Sequence, residues 1–172
     1  NIRAQASCPG FRGTSAQPIQ EKLDAQRMET DAAYNLALDG FMSVVKTNGL
    51  ALRYAGHELR GEIMLVLAAI EENAMALEFA SEELSDNDDV VLEAVRGNAW
   101  SLQFASERLQ VDRLIVRAAV QSDGLILENV GWEYRNDRSI VFDAVRDNGW
   151  ALRFASPMHR NDISVVWRAV ER

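Results

Sequence analysis

A chain of 172 residues fits one ordinary domain and can bury a sizeable core, and 48% hydrophobic against 26% charged residues is the balance of a folded protein. Its 26 acidic and 18 basic side chains leave a net charge of −8, which argues against a phosphate-backbone ligand and so against nucleic acid as a partner. The charge-free apolar run over residues 63–70 falls far short of the roughly 20 residues a membrane span requires, and the single cysteine, Cys8, excludes an internal disulfide and a cysteine-based zinc site.

Residues 1–20 differ in kind from the rest of the chain. They hold two of the three prolines, carry Arg3 and Arg12, and contain no acid. Removing their charge of +2 from the total of −8 leaves −10 for residues 21–172. An Arg-containing, acid-free stretch rich in Ser, Thr and Ala is the composition expected near an organellar transit-peptide cleavage site. The absence of any Asn-x-Ser/Thr sequon also fits a compartment away from the secretory route. A Pro/Gly-rich stretch with so few apolar residues does not order itself, so residues 1–22 are read as a basic, extended tail held by a partner or by the chain's own repeats. Arg3, Phe11 and Arg12 are its candidate partner contacts.

The pattern turns helical after Glu21, with Thr30 or Asp31 as candidate N-cap and Phe41, Met42, Val44 and Val45 where later units have core residues. Residues 23–47 are therefore read as a degenerate capping repeat.

From Asn48 the chain is five tandem units of 25 residues, beginning at Asn48, Asn73, Asn98, Asp123 and Asn148. The first residue is a short polar side chain suited to capping a helix, and Asn also tolerates the left-handed backbone that ends one. Apolar residues occupy the third place (Leu50, Met75, Trp100, Leu125, Trp150), the fifth (Leu52, Leu77, Leu102, Leu127, Leu152), the seventh (Tyr54, Phe79, Phe104, Phe154) and the eighth (Ala55, Ala80, Ala105, Ala155). This spacing predicts one broad stripe on a first helix of about two and a half turns. Asn87, Asp112, Asp137 and Asp162 then stand ready to cap a second helix, Glu62 being a poor equivalent. That helix carries Val, Ala and Val or Ile at i, i+3 and i+4, as in Val91, Ala94 and Val95. Hairpins this short cannot enclose their own apolar faces, so they must stack. The fold class predicted is all-α, a short α-solenoid of tandem two-helix repeats behind an N-terminal extension.

The runs NGLALRYAGHEL, NAMALEFASEELSDNDDVVLEAV and NGWALRFAS followed by NDISVVWRAV resemble an uncharacterised repeat family catalogued as domain of unknown function four-one-one-six, over residues 48–172. The resemblance implies a helical-repeat protein of protists and algae. It supplies no established activity and no catalytic residues to carry over.

Catalytic chemistry finds little support in the sequence. His57 and Glu58 lack the second His of a zinc-protease helix, and the run Asp86-Asn87-Asp88-Asp89 lacks the Gly and distal Glu of a calcium loop. The chain is read as non-enzymatic, with no metal or cofactor expected. Mixed signs at the sixth place (Arg53, Glu78, Gln103, Glu128, Arg153) do not suit a repeat that tracks RNA, which stays as an alternative beside a stand-alone adaptor. The preferred expectation is a non-catalytic scaffold that binds other protein subunits, a peripheral accessory part of a larger assembly. With the transit-like tail and the algal resemblance, an organelle is expected, a plastid ahead of a mitochondrion, and a photosynthetic or respiratory membrane complex as host. The fourth unit departs most from the pattern, with Asn129 in place of the aromatic, and gains Trp132 and Tyr134. Either residue fills the space the ring leaves, or the two form an aromatic patch for a partner. Trp167, on the last unit's second helix, is the sixth candidate contact after Arg3, Phe11, Arg12, Trp132 and Tyr134.

Overall fold

The computed structural model describes residues 17–171, with side chains from residue 30 onward. It divides the chain into two compact units, residues 1–37 and 38–172. Among the described residues every regular element is helical. Helix α1, Gln17–Val45, is a single continuous helix. Residues 17–22 are thus helical rather than extended, and residues 23–47 form no hairpin. Thr30 and Asp31 lie inside α1, where every neighbour already has helical backbone and no cap is needed. Within the second unit Val45 is buried and Phe41 and Met42 are half-buried.

Each 25-residue unit then contributes three pieces instead of two. A six-residue 3₁₀ helix comes first: Gly49–Tyr54, Ala74–Phe79, Ala99–Phe104 and Gly149–Phe154, with a five-residue version at Gly124–Glu128. A single helical turn comes next, namely the 3₁₀ turn Leu59–Gly61 and the α-turns α3 (Glu82–Ser85), α5 (Glu107–Gln110), α7 (Trp132–Arg135) and α9 (Pro157–Arg160). The second long element is an α-helix of eight to ten residues: α2 (Ile63–Glu72), α4 (Asp88–Gly97), α6 (Arg113–Ser122), α8 (Arg138–Asp147) and α10 (Ile163–Val170).

The 3₁₀ winding changes which side chains face inward. With 3.0 residues per turn, residues three apart eclipse one another. The second, fifth and eighth places share one edge, the fourth and seventh another, and the third and sixth a third. In an α-helix the third and seventh places are about 40° apart, whereas here they are about 120° apart. The Leu at the fifth place and the residue at the fourth (Ala51, Ala76, Ser101, Ile126) are buried in the first four units, whereas Leu50, Trp100 and Trp150, expected in the core, turn outward beside Arg53, Gln103 and Arg153. Six residues are too few for the two periods to separate in sequence.

The caps obey their local chemistry. The side chains of Asn87, Asp112, Asp137 and Asp162 accept from backbone N–H groups at the start of α4, α6, α8 and α10, while Glu62 makes no capping bond to α2. Asn73, Asn98, Asp123 and Asn148 cap the 3₁₀ helices by accepting from the N–H two residues on. They do not adopt the left-handed backbone. Their φ lies between −155° and −141°, and no described residue has positive φ. The preceding α-helix ends because this extended residue donates its N–H to Ala69, Ala94, Ala119 or Ala144, then turns its side chain to the next element.

The units stack in two layers. α2, α4, α6, α8 and α10 pack side by side in order, and each 3₁₀ helix from Ala74–Phe79 onward rests on the long helices of its own and the preceding unit. Single-turn helices add a backbone tie: Ser81 N–H donates to Arg60 O at 3.0 Å, Ser106 to Ser85 O at 2.8 Å and Ser156 to Arg135 O at 2.9 Å. Where Gly49, Gly124 and Gly149 occupy the second place the layers approach most closely, and a Cβ added at Gly49 would stand 2.2 Å from the Ala69 carbonyl oxygen. One added at Gly124 would stand 2.3 Å from the Ala144 carbonyl oxygen, and one at Gly149 2.1 Å from that of Ala169.

Candidate partner-binding surface

Repeats three to five are joined by charge as well as by packing. Arg113 reaches forward to the Asp137 carboxylate at 2.9 Å and to Ser139 Oγ at 2.9 Å. One repeat later, Arg138 makes the same reach to Asp162 at 3.3 Å and Ser164 Oγ at 2.7 Å. Each Asp thus caps its own helix with one oxygen and meets the preceding repeat's Arg with the other. Burial pushes Asp137 up, but the Ser139 hydroxyl, Arg113 and the N–H groups of Ile140 and Ser139 outweigh it and hold the carboxyl at about 2. Bonds from the Ser164 hydroxyl and backbone, with Arg138 beyond them, hold Asp162 at about 2. Beside them Asp143 is buried, with Arg117 Nε at 2.8 Å and Gln121 Nε2 at 2.9 Å. Its carboxyl lies below the usual range, because those bonds and the charges of Arg117 and Arg146 exceed the cost of burial. At the junction of repeats two and three, Arg108 instead reaches back to Asp86 at 3.0 Å and Asp88 at 3.2 Å.

The site residues expected from the sequence separate sharply in this frame. Arg3, Phe11 and Arg12 lie outside the described residues. Trp132 opens α7 and is 74% exposed. Tyr134, two residues on, is 9% exposed and belongs to the core. It takes the place of Leu59, Leu84 and Leu109, and its hydroxyl donates to the Val111 carbonyl of the preceding repeat. An aromatic patch of Trp132 and Tyr134 therefore does not form, and Tyr134 is not a surface contact. His159 occupies the same place one repeat later, 2% exposed, with Nε2 2.9 Å from the Asn136 carbonyl oxygen. Unusual residues in the connectors of repeats four and five thus turn out to be one device: a polar side chain at the buried Leu place that reaches the preceding unit.

Trp167 is 64% exposed and stands with Ile163 and Val170 around a shallow hollow of about 420 Å³. Trp150, 77% exposed, lines a second hollow of about 440 Å³ with Leu152, Ala169 and Val170. Nothing in the sequence singles out Trp150, because its place reads as core at α-helical spacing. A 3.0-residue reading would have put it outside.

Neither Trp132 nor Tyr134 fills the space of the missing ring in repeat four. Ile126, where the other units have Ala or Ser, is buried and takes up part of it. The remainder is a cleft of about 250 Å³ between repeats three and four, lined by Trp100, Leu102, Gln103, Gln110, Ile126 and Asn129. Gln110 is fixed at the rim by donating to the carbonyls of Gln103 at 3.2 Å and Ala105 at 2.8 Å. Among the described residues the Asn129 carboxamide has no hydrogen-bond partner.

Stacked helical units with charged ties between neighbours and apolar side chains left on the outside define the molecule, over residues 38–172, as a helical-repeat protein. The family model described as Domain of unknown function (DUF4116) matches it three times in tandem, over residues 41–85, 87–135 and 137–172. The chain belongs to that family. The second and third matches begin 50 residues apart (137 − 87), which is two of the 25-residue units. No curated protein and no solved structure matches the chain.

Proposed function

We propose that the protein is a non-catalytic scaffold that binds other proteins, a peripheral accessory subunit of a larger assembly. The observation that carries this reading is that three of the four tryptophans, Trp132, Trp150 and Trp167, are mostly exposed on repeats four and five. Exposed Trp is costly in water and is the residue most enriched where partners anchor. The three sit on different elements, a single-turn helix, a 3₁₀ helix and a long α-helix. A subunit wedged among several neighbours needs apolar anchors on several faces, whereas an adaptor with one groove needs them on one. No described helix is long and apolar enough to cross a membrane. The composition of residues 1–20 favours an organellar setting, and the algal resemblance puts a plastid ahead of a mitochondrion, with a photosynthetic or respiratory complex as host.

The test is native gel or gradient separation of gently solubilised extracts from the source cells, with the chain detected by antibody. It should migrate in a large complex, and Trp150→Ala and Trp167→Ala should each shift part of it to the free fraction. Migration as a free monomer in the unmodified cells would remove the reading. Tight, salt-sensitive RNA retention on filters would replace it with the RNA-binding alternative.

A further inference from the structure

We infer that the cleft at the junction of repeats three and four receives an aromatic side chain from an extended segment of a partner protein, next to a basic residue. This rests on the protein-binding reading above and names the class of ligand.

The repeat itself indicates the missing group. Tyr54, Phe79, Phe104 and Phe154 hold a ring at the seventh place, and Asn129 does not. Ile126, on the same edge as the missing ring and larger than the Ala or Ser found at its place elsewhere, is buried and borders the space. The outer part remains open, with Leu102 and Ile126 as apolar lining and the Trp100 ring beside them. A second observation agrees. The 3₁₀ helices of adjacent repeats pack against one another at the first, second and fourth junctions, and their packing is weakest at the third, where this cleft lies. The stack therefore opens at the place where a ring is absent.

The polar rim suits a peptide more than a free aromatic molecule. Asn129 presents an unused carboxamide beside the apolar lining, and such a group can pair with both the N–H and C=O of an extended chain. The indole of Trp100 is oriented by donating to Asp123 at 3.3 Å. Neither 3₁₀ helix at the cleft, Ala99–Phe104 or Gly124–Glu128, contains a basic residue, while Glu128 is exposed and Asp123 caps the second of them. Arg108, the basic residue of α5, is turned away to Asp86 and Asp88. Charge complementarity therefore favours a cation flanking the ring.

The experiment uses the full chain, isotopically labelled, titrated at millimolar concentration with the capped peptide acetyl-Ala-Phe-Arg-amide and followed by the indole N–H and carboxamide signals in proton–nitrogen spectra. The Trp100 indole and the Gln110 and Asn129 carboxamides should shift saturably, with the indoles of Trp132, Trp150 and Trp167 unmoved. Acetyl-Ala-Ala-Arg-amide and acetyl-Ala-Phe-Glu-amide should each bind about tenfold more weakly or not at all. Asn129→Phe places a ring in the cleft from the chain itself, and should abolish the shifts while raising the melting temperature. Asn129→Leu serves as a second plug if the ring fits poorly. Equal binding of the three peptides, shifts centred on another tryptophan, no saturable shift, or unchanged binding by a folded plugged variant would overturn the proposal. Each of those results leaves the native complex intact as a separate observable, so failure at the cleft and failure of the scaffold reading are told apart.

Discussion

Repeats three and four, residues 98–122 and 123–147, show how much can be changed on this frame without changing it. Both begin with a capped 3₁₀ helix, both bury Leu at the fifth place, and both cap their long helix with Asp. Repeat three keeps the ring of Phe104, the Ser106 cap and the buried Leu109. Repeat four replaces them with Asn129, Gly131 and Tyr134, and compensates with Ile126, Val130, a hydroxyl bond to Val111 and the Arg113–Asp137 tie. Outer-layer residues are thus exchangeable so long as the inner edge and the long helix persist. The place where compensation is incomplete is also where the surface opens.

The largest expected effect tests the shared part of that comparison. Leu102→Ala and Leu127→Ala should each cost about 2–5 kcal/mol, since both remove most of a buried side chain from a closely packed layer. Urea denaturation of the two variants measures it. A large loss in one and a negligible loss in the other would mean that the repeats do not share an inner edge in energetic terms.

A smaller effect tests the junction. Asp112→Ala removes a cap and should cost about 1 kcal/mol. Asp137→Ala removes a cap and the partner of Arg113, so it should cost more. The depressed carboxyl sets the sign with pH. Its folded value of about 2 lies below the ordinary 3.8, so its contribution is complete above about pH 4 and disappears as pH falls through 2. Upon acidification that loss is at most roughly 2 kcal/mol. Denaturation midpoints between pH 5 and 2 should fall less steeply for Asp137→Asn than for the unmodified chain. Parallel slopes would mean that Ser139, Arg113 and the backbone N–H groups together do not hold the carboxylate in solution.

Sequence alone makes legible whatever is decided within a few residues. Asn87, Asp112, Asp137 and Asp162 can be read as caps because the bond they make closes two or three residues on. The buried Val, Ala and Val places of α4, α6 and α8 are readable for the same reason, at α-helical spacing over ten residues. The winding of the first element is not, because six residues hold the two periods too briefly to tell apart, and so Trp100 and Trp150 read as inward. Tyr134, His159 and Asp143 are obscure because their partners lie 23, 23 and 26 residues away, on the neighbouring unit. A signal for Asp143 does exist. Arg117 stands where other repeats have Leu67, Leu92, Phe142 and Trp167, and a charge on a face turned to the next repeat calls for an opposite charge there. The cleft is half legible: Asn129 announces a missing ring, but only the structure reveals that Tyr134 sits at another place and leaves the space open.

The smallest effect on stability belongs to Trp132, and it distinguishes the two residues that sequence pattern placed together. Trp132→Ala should alter the unfolding free energy by no more than about 0.5 kcal/mol, since a side chain 74% exposed gives up little on truncation. Tyr134→Phe, by contrast, leaves the ring in place but strands the Val111 carbonyl and should cost about 1 kcal/mol. Surface function predicts the reverse order in assembly: Trp132→Ala should release part of the chain from the native complex, while Tyr134→Phe leaves binding unchanged once the loss of stability is allowed for. If both variants lose stability alike, α7 packs as one element and the separation of its surface tryptophan from its core tyrosine is lost. If neither alters the complex, the exposed anchors that matter are confined to Trp150 and Trp167 on repeat five.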